Sequence, residues 1–394
     1  MTESLPPIPR QRDDDYGAEA VQARHALCER TAGSALPHVG GERVPASAVQ
    51  GNVENVIGFA QVPIGIAGPL RVDTSAGMRE VYVPMATTEG AMVASYSRGM
   101  KVIREAGGAR ARVIREALSQ HPVLLYADAA AANAAAHAIE AERAELERLT
   151  GSITNHGRLV GVKPEPVGRR LVLCLDFTTG DAIGINMAAH AAELCSRHVA
   201  ERTGAVGRYV HGEDVEKRAN ARAFVEGRGR SVVCDVEIPA DVLAKVFRVT
   251  PADMVDVQRT YAVGFARLGT QNHLIQVANG LAGVFIACGQ DAAYLTESAT
   301  GLLDFEVTPS GGLHASAYLP SLLVGTVGGG SGQGTAAECL ELLGVRGDGG
   351  ANTFAEILAA TTLAGDLSLL ASFCTHEFVE AHERLGRNRP GESA

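Results

Sequence analysis

The chain has 394 residues, 46% of them hydrophobic, and 45 acidic against 35 basic side chains, a formal net charge of −10. That length allows two domains, or one large one, around a substantial core. The acidic balance excludes a general nucleic-acid-binding surface, so an anionic ligand must be met by a local cluster of Arg and Lys. In chain order, the first dozen residues are Pro-rich and charged and predict a disordered lead-in. Residues 15–35 read as a helix with Ala, Val and Leu on one side. Residues 122–126 are a short apolar strand, and 128–149 are an Ala-rich helix with Glu and Arg. Residues 158–162 and 169–177 alternate as paired strands, with Pro164 and Pro166 in the turn region. A helix over 182–200 and a strand over 206–210 complete a β-α-β-β-α-β order, the split βαβ, ferredoxin-like plan. This predicts a small domain, 126–210, inserted into a larger one. The larger domain resumes with an apolar helix near 271–287, a Gly-rich turn at 325–334, a helix near 335–343 and helices to about 385. The fold class is α+β. The divisions are an N-terminal tail and helical segment (1–44), the first part of the large domain (45–125), the insert, and the second part (211–394).

The few aromatics, absent Trp and abundant Ala and Gly favour close helix–backbone packing. The seven cysteines are scattered, mostly in apolar runs such as those of Cys174, Cys234 and Cys288. They read as reduced core residues of a cytoplasmic protein, and none has zinc-type spacing, so no metal is expected. No signal peptide precedes the first charged residues and no apolar run is long enough to span a bilayer, so no membrane contact is expected.

The run Val83-Pro-Met-Ala-Thr-Thr-Glu89-Gly-Ala-Met-Val-Ala-Ser95-Tyr-Ser-Arg98-Gly99 sets one acid among apolar and small residues before a helix. A carboxyl group held away from water keeps its neutral form near pH 7 and can donate a proton. Glu89 also reads as a capping Glu behind Thr87 or Thr88. Three further segments add chemistry. Glu216-Lys217-Arg218, closely followed by Val225-Glu-Gly-Arg-Gly-Arg-Ser-Val-Val-Cys234, supplies a cation. Ile286-Ala-Cys-Gly-Gln-Asp291 supplies a second carboxylate, and His382 an imidazole. Taken singly, Lys217 is also a solvated surface lysine, Asp291 an N-cap or polar core residue, and His382 a surface histidine. There is no convincing G-x-G-x-x-G between a strand and a helix. Instead Gly180-Asp181-Ala-Ile183-Gly184-Ile-Asn186-Met187 opens a helix, where glycines permit close approach and the helix N-terminus favours a pyrophosphate.

With Glu54-Asn55-Val-Ile-Gly58, Gly65-Ile-Ala-Gly-Pro69 and Gly325-Thr-Val-Gly-Gly-Gly330, these motifs resemble 3-hydroxy-3-methylglutaryl-CoA reductase (HMG-CoA reductase). They run in the same order from about Pro45 to about Asn388. The Glu-Gly-Arg-Gly-Arg-Ser and Cys-Gly-Gln-Asp runs resemble the soluble catalytic region of the eukaryote-like class I more than the other bacterial class. The resemblance implies a small NAD(P)-binding domain inserted in a large acyl-CoA-binding domain, and a homodimer with active sites at the subunit interface. It implies that the membrane anchor of the animal, plant and fungal enzymes is missing. The reaction it implies is four-electron reduction of HMG-CoA to mevalonate and CoA with two NADPH, NADH being possible.

In that family Lys217 matches the lysine that stabilises the oxyanion. Asp291 matches an aspartate buried beside it, coupled to its titration. Glu89 protonates the aldehyde oxygen, and His382 protonates the departing thiolate. Asp181, Ile183, Gly184, Asn186, Met187, Val324 and Arg158 would bind the cofactor. Glu54, Asn55, Ser95, Ser97, Arg98, Arg218, Arg259 and Asn279 would bind the substrate, with Arg98 suited to a CoA phosphate. Some positions depart from the family pattern. Leu125 replaces an arginine that binds the substrate carboxylate, and Gln276 replaces a substrate-facing histidine. Arg218 and Arg259 replace lysines, and Tyr294-Leu295 replace Gln-Asn. Thr154-Asn155 replace the Ser-Arg pair of NADPH users, with His156 and Arg158 close enough to substitute. Two alternatives follow: a related reductase acting on another acyl-CoA or carrier-protein thioester, or a catalytically silent acyl-CoA-binding protein.

Overall fold

The structure is a computed structural model that describes residues 5–11, 17–41, 44–49, 52–55, 57, 59–213 and 215–375. It is α+β, with eleven α-helices and ten strands among the described residues. Helix α1 (Ala18–Ala32) precedes an antiparallel hairpin of β1 (Ile64–Thr74) and β2 (Gly77–Ala86). Helix α2 (Met92–Glu105) and β3 (Ala109–Gln120) follow. Next come β4 (Val123–Leu125), α3 (Ala129–Gly151), β5 (Arg158–Val167), β6 (Arg170–Thr178), α4 (Ile185–Thr203) and β7 (Gly207–Tyr209). After α5 (Ala221–Val225), β8 (Gly229–Ile238), α6 (Ala240–Val246), α7 (Pro251–Leu268), α8 (Val277–Ala287) and α9 (Leu295–Ser298) run in succession. The described chain closes with β9 (Leu302–Val307), β10 (Leu313–Leu322), α10 (Gly334–Leu342) and α11 (Gly350–Cys374).

The strands join in one sheet. In one half β3 pairs with β8, β8 with β10, and β10 with β9. In the other, β4 lies between β6 and β7, and β5 covers the far edge of β6. Strands β3 and β4 lie end to end along β6. Leu118–Gln120 pair with Phe177–Leu175, and Val123–Leu125 with Val172–Arg170. The break between them is bridged by the Leu173 N–H donating to Pro122 O at 2.8 Å. The 45–125 division therefore separates β4 from its partners among the described residues, β6 and β7, which both fall in 126–210. Pro164 and Pro166 are not in a turn. They pair within β5, opposite Leu173 and Leu171, and the reversal falls at Gly168 (φ 59). An edge strand tolerates prolines because an N–H turned to solvent is not missed.

Helix α11 is buried on nearly every side, against α2, α7, α8 and strands β3, β8 and β10. It corrects the expectation about apolar runs, since an 18-residue stretch of it has mean hydropathy 1.6, long and apolar enough to cross a membrane by length and composition. Here 83% of that stretch is buried inside the protein. Its two acids are satisfied internally. Glu356 accepts from the N–H groups of Ser75 (2.9 Å) and Val113 (3.0 Å). Asp366 accepts from the N–H groups of Ile275 (3.0 Å) and Gln276 (2.9 Å), closing the start of α8. The small residues explain how the helices come so close. A Cβ on Gly99 of α2 would lie 1.8 Å from the Ala364 carbonyl oxygen, and one on Gly365 would lie 2.4 Å from the Tyr96 ring.

Candidate active site

Lys217 sits in the loop between β7 and α5, in a left-handed conformation (φ 56) that costs a non-glycine residue about 1–3 kcal/mol. A buried polar frame holds it there. The Lys217 N–H donates to Glu297 Oε1 at 2.5 Å, and Glu297 is fully buried. The buried Arg228 guanidinium grips both Glu297 oxygens (3.1 and 2.9 Å), reaches Glu216 (3.3 Å), and donates from Nε to Ser119 O (3.1 Å). Gln120 donates to Glu216 Oε1 at 2.9 Å. Burial pushes the Glu297 carboxyl above the ordinary carboxylate range, against the opposing pull of Arg228 and the Lys217 N–H. From this anchored backbone the side chain extends outward. Nζ lies 2.8 Å from Asp291 Oδ2 and 4.9 Å from the centre of the Tyr294 ring.

The structure thus brings Lys217 and Asp291 together. The two side chains are 44% and 46% exposed, so Asp291 is not the buried carboxylate that was expected. Its burial raises the carboxyl's affinity for protons, but the Lys217 ammonium and the Ala293 N–H outweigh that and hold it below the usual carboxylate range. Asp291 Oδ1 also accepts from Ala293 N–H (2.9 Å), so capping and ion pairing coexist. The Gly-rich loop supports this segment. Gly325 N–H donates to Gln290 Oε1 at 2.9 Å, and a Cβ on Gly289 would lie 2.6 Å from Gly330 O.

Glu89 differs from expectation. It is exposed, and its contacts are the Asn279 amide (3.3 Å) and, through its own N–H, Thr87 Oγ1 (3.0 Å). Helix α2 starts only at Met92, after Ala91 in a left-handed conformation, so residues 87–90 run over the surface while the apolar neighbours turn inward. Glu89 and Asn279 form one pair, Lys217 and Asp291 another. His382 lies outside the described residues.

The expected substrate positions divide. Glu54, Asn55, Arg218 and Asn279 are exposed. Helix α2 is sandwiched between β1 and α11, so its polar groups are engaged internally: Ser95 Oγ with Ser368 (3.2 Å), Ser97 Oγ with Gly68 N–H (3.2 Å), and Arg98 Nε with Ser368 (3.0 Å). Arg98 is therefore a packing residue rather than an outward phosphate ligand. Arg259 lines a separate groove of about 670 Å³ between α7 and β9, with Asp256 and Glu306. Gln276 is buried and donates to Ser95 Oγ at 3.2 Å.

On the expected cofactor side, α4 starts at Gly184 (φ 83) with no side-chain cap and no acid in its first turn. Loop 325–327 lies directly on this turn. Thr326 and Val327 N–H groups donate to Asp181 O (2.8 and 3.1 Å), and a Cβ on Gly325 would lie 2.7 Å from Ile183 N. Ile183 and Met187 are half-buried, and Asn186, His156 and Arg158 are exposed. Uncapped N–H groups at a helix start fit an anionic dinucleotide. Two of the expected residues are engaged internally. The Asp181 carboxylate accepts from Gly349 and Ala351 N–H (3.0 and 2.9 Å), capping α11, and Val324 is fully buried with its carbonyl taken by Arg230 (2.7 Å). Arg230 lay in the Val225–Cys234 run without a role of its own, and Glu297 carried no signal in the sequence.

His121, Cys174 and Glu213 gather within 4.8 Å. Arg222 donates to the Cys174 sulfur (2.9 Å) and lies 3.9 Å from Glu213, so a guanidinium already supplies the positive charge there.

The family model described as hydroxymethylglutaryl-coenzyme A reductase matches residues 20–387. The 3-hydroxy-3-methylglutaryl-coenzyme A reductase of Pyrococcus horikoshii is 38% identical over 93% of this chain and 92% of its own length. That of Haloferax volcanii is 40% identical over 93% of both, and that of Zea mays is 34% identical over 94% of this chain and 67% of its own length. Among solved structures, the class II enzyme of Streptococcus pneumoniae bound to NADPH aligns with TM-score 0.74 at 21% identity, covering 89% of this chain and 96% of that one. A match of this extent, over a fold that joins Lys217 to Asp291, establishes that the chain belongs to the hydroxymethylglutaryl-coenzyme A reductase family.

Proposed function

We propose that this protein reduces HMG-CoA to mevalonate and CoA with two NADPH. The observation that carries the reading is the 2.8 Å contact between Lys217 Nζ and Asp291. NADPH, when bound, supplies the hydrides. The uncapped start of α4, loop 325–330 and Arg158 would hold it. Negative charge develops on the thioester oxygen during reduction, and an ammonium fixed in place lowers that barrier because little has to reorganise. Asp291 holds the Lys217 side chain in aim, and Glu89 is the proton donor to the product alkoxide. His382 protonates the departing thiolate.

Glu89 is open to solvent in the single chain, and a second copy would cover it. The exposed apolar residues Val263 and Leu268 of α7 support a homodimer. The free cysteines, six of them buried, fit a reducing cytoplasm. The test follows nicotinamide absorbance and thiol release with HMG-CoA and either NADPH or NADH. The expected result is two NADPH oxidised per CoA released. Absence of turnover with HMG-CoA, alongside turnover of another acyl thioester, rejects the reading in favour of the related reductase. Leu125 and the internally bonded Gln276 favour that second possibility, since neither offers the polar group its family counterpart does.

A further inference from the structure

We propose that Glu297, seated on Arg228, is the positioning residue for Lys217. The proposal deepens the reading above and rests on Lys217 being the cation of the reaction. Lys217 holds a left-handed backbone, which a lysine does not adopt without outside constraint. The constraint visible here is its N–H bond to Glu297 Oε1 at 2.5 Å. Glu297 is itself immobilised by Arg228, whose Nη1 donates to both its oxygens while Nη2 reaches the neighbouring Glu216. Glu297 lies six residues beyond Asp291, past a short 3-10 turn and within α9. One segment therefore grips Lys217 twice, by the backbone through Glu297 and by the ammonium through Asp291. An ion pair this deep is poor evidence of stabilisation by itself, because desolvation offsets the attraction. Its geometric role is what distinguishes it. With the backbone fixed, the ammonium has a defined reach, and a displacement of about 1 Å at such a group costs about a hundredfold in rate.

The experiment compares two double variants, each free of an unpaired buried charge. In Glu297→Met with Arg228→Met, the pair is replaced by apolar side chains and Lys217 N–H loses its acceptor. In Glu297→Gln with Arg228→Met, a neutral carbonyl oxygen again faces that N–H. With HMG-CoA and NADPH, the first is expected to lose at least about tenfold in kcat with KM for HMG-CoA within about twofold. The second is expected to recover most of that loss. Equal kcat in the two double variants overturns the proposal, because a merely structural pair would not distinguish them. Lys217→Ala separates the two levels. If it leaves kcat unchanged, the catalytic reading of Lys217 falls and the proposal with it. If it abolishes turnover while both double variants keep the parental rate, the positioning role alone falls. Should a double variant fail to fold, hydrogen exchange in the unaltered protein decides. A Lys217 amide protected like those of β8 supports the proposal, and one exchanging like free loop amides overturns it.

Discussion

Asp291→Asn separates catalysis from stability at this site. The substitution keeps an oxygen for the Ala293 N–H and removes the charge facing Lys217. Both side chains are nearly half exposed, so water and salt screen their attraction. An exposed pair of this kind contributes about 0.2–1 kcal/mol to folding. The urea midpoint is therefore expected to move little. The effect on rate is of another size. An ammonium that loses its aim at a developing oxyanion forfeits about 2.7–4 kcal/mol of barrier lowering, a hundred- to a thousandfold in kcat. The assay measures kcat and KM for HMG-CoA by nicotinamide absorbance, and urea unfolding on the same preparation. A kcat within about threefold of the parent refutes the reasoning, since the tenfold step is 1.4 kcal/mol. So does a rate loss matched by an equal loss of stability, which would make the pair structural.

Two further outcomes concern the core. Gly99→Ala sets a methyl 1.8 Å from a backbone oxygen of α11, which cannot rotate away, and is expected to destabilise by about 3 kcal/mol despite the better helix propensity of Ala; an unchanged melting temperature would contradict this packing. Asp366 is pushed up to about 7 by burial, against the pull of the Gln276 and Ile275 N–H groups. Its folded value lies above the unfolded one of about 3.9, so the native state holds the extra proton between the two. Its contribution is then fully present below about pH 4 and is lost as pH rises through about 7, a fall on the order of 4 kcal/mol. Urea unfolding at about pH 5 and about pH 8 should show a shallower decline in Asp366→Asn than in the parent, and identical slopes would remove Asp366 as the cause.

What could be read from the residues depended on how local the determinants are. The elements from β4 to β7 are short, strongly patterned and punctuated, and residues close in sequence decide them. Helix α3 extends to Gly151 behind the cap supplied by Asp128, near its predicted end. Strand β3 was not legible, because Ala-Arg-Ala-Arg-Val-Ile-Arg-Glu-Ala has the composition of a helix and becomes a strand through pairing with β8, more than a hundred residues away. The apolar length of α11 was hidden by Glu356 and Asp366, whose hydrogen-bond partners are also distant in sequence. At the site, Lys217 and Asp291 were visible as residue types in rare runs. The support of Lys217 by Glu297, 80 positions downstream, was not. Glu89 misled for the opposite reason, since apolar neighbours in sequence do not shelter a side chain when the backbone between them crosses the surface.

The end-to-end course of β3 and β4 along β6 has a mechanical consequence. A hydrogen-bonded ladder is stiff in its own plane and yields mainly by coiling, so it makes a poor joint. Ser119 and Gln120 at the end of β3 hold the Arg228–Glu216 frame behind Lys217, and Glu116 of the same strand accepts from the Thr179 and Gly180 N–H groups that lead into α4. The spacing between the start of α4 and the Lys217 loop within one chain is thereby gauged by a single strand.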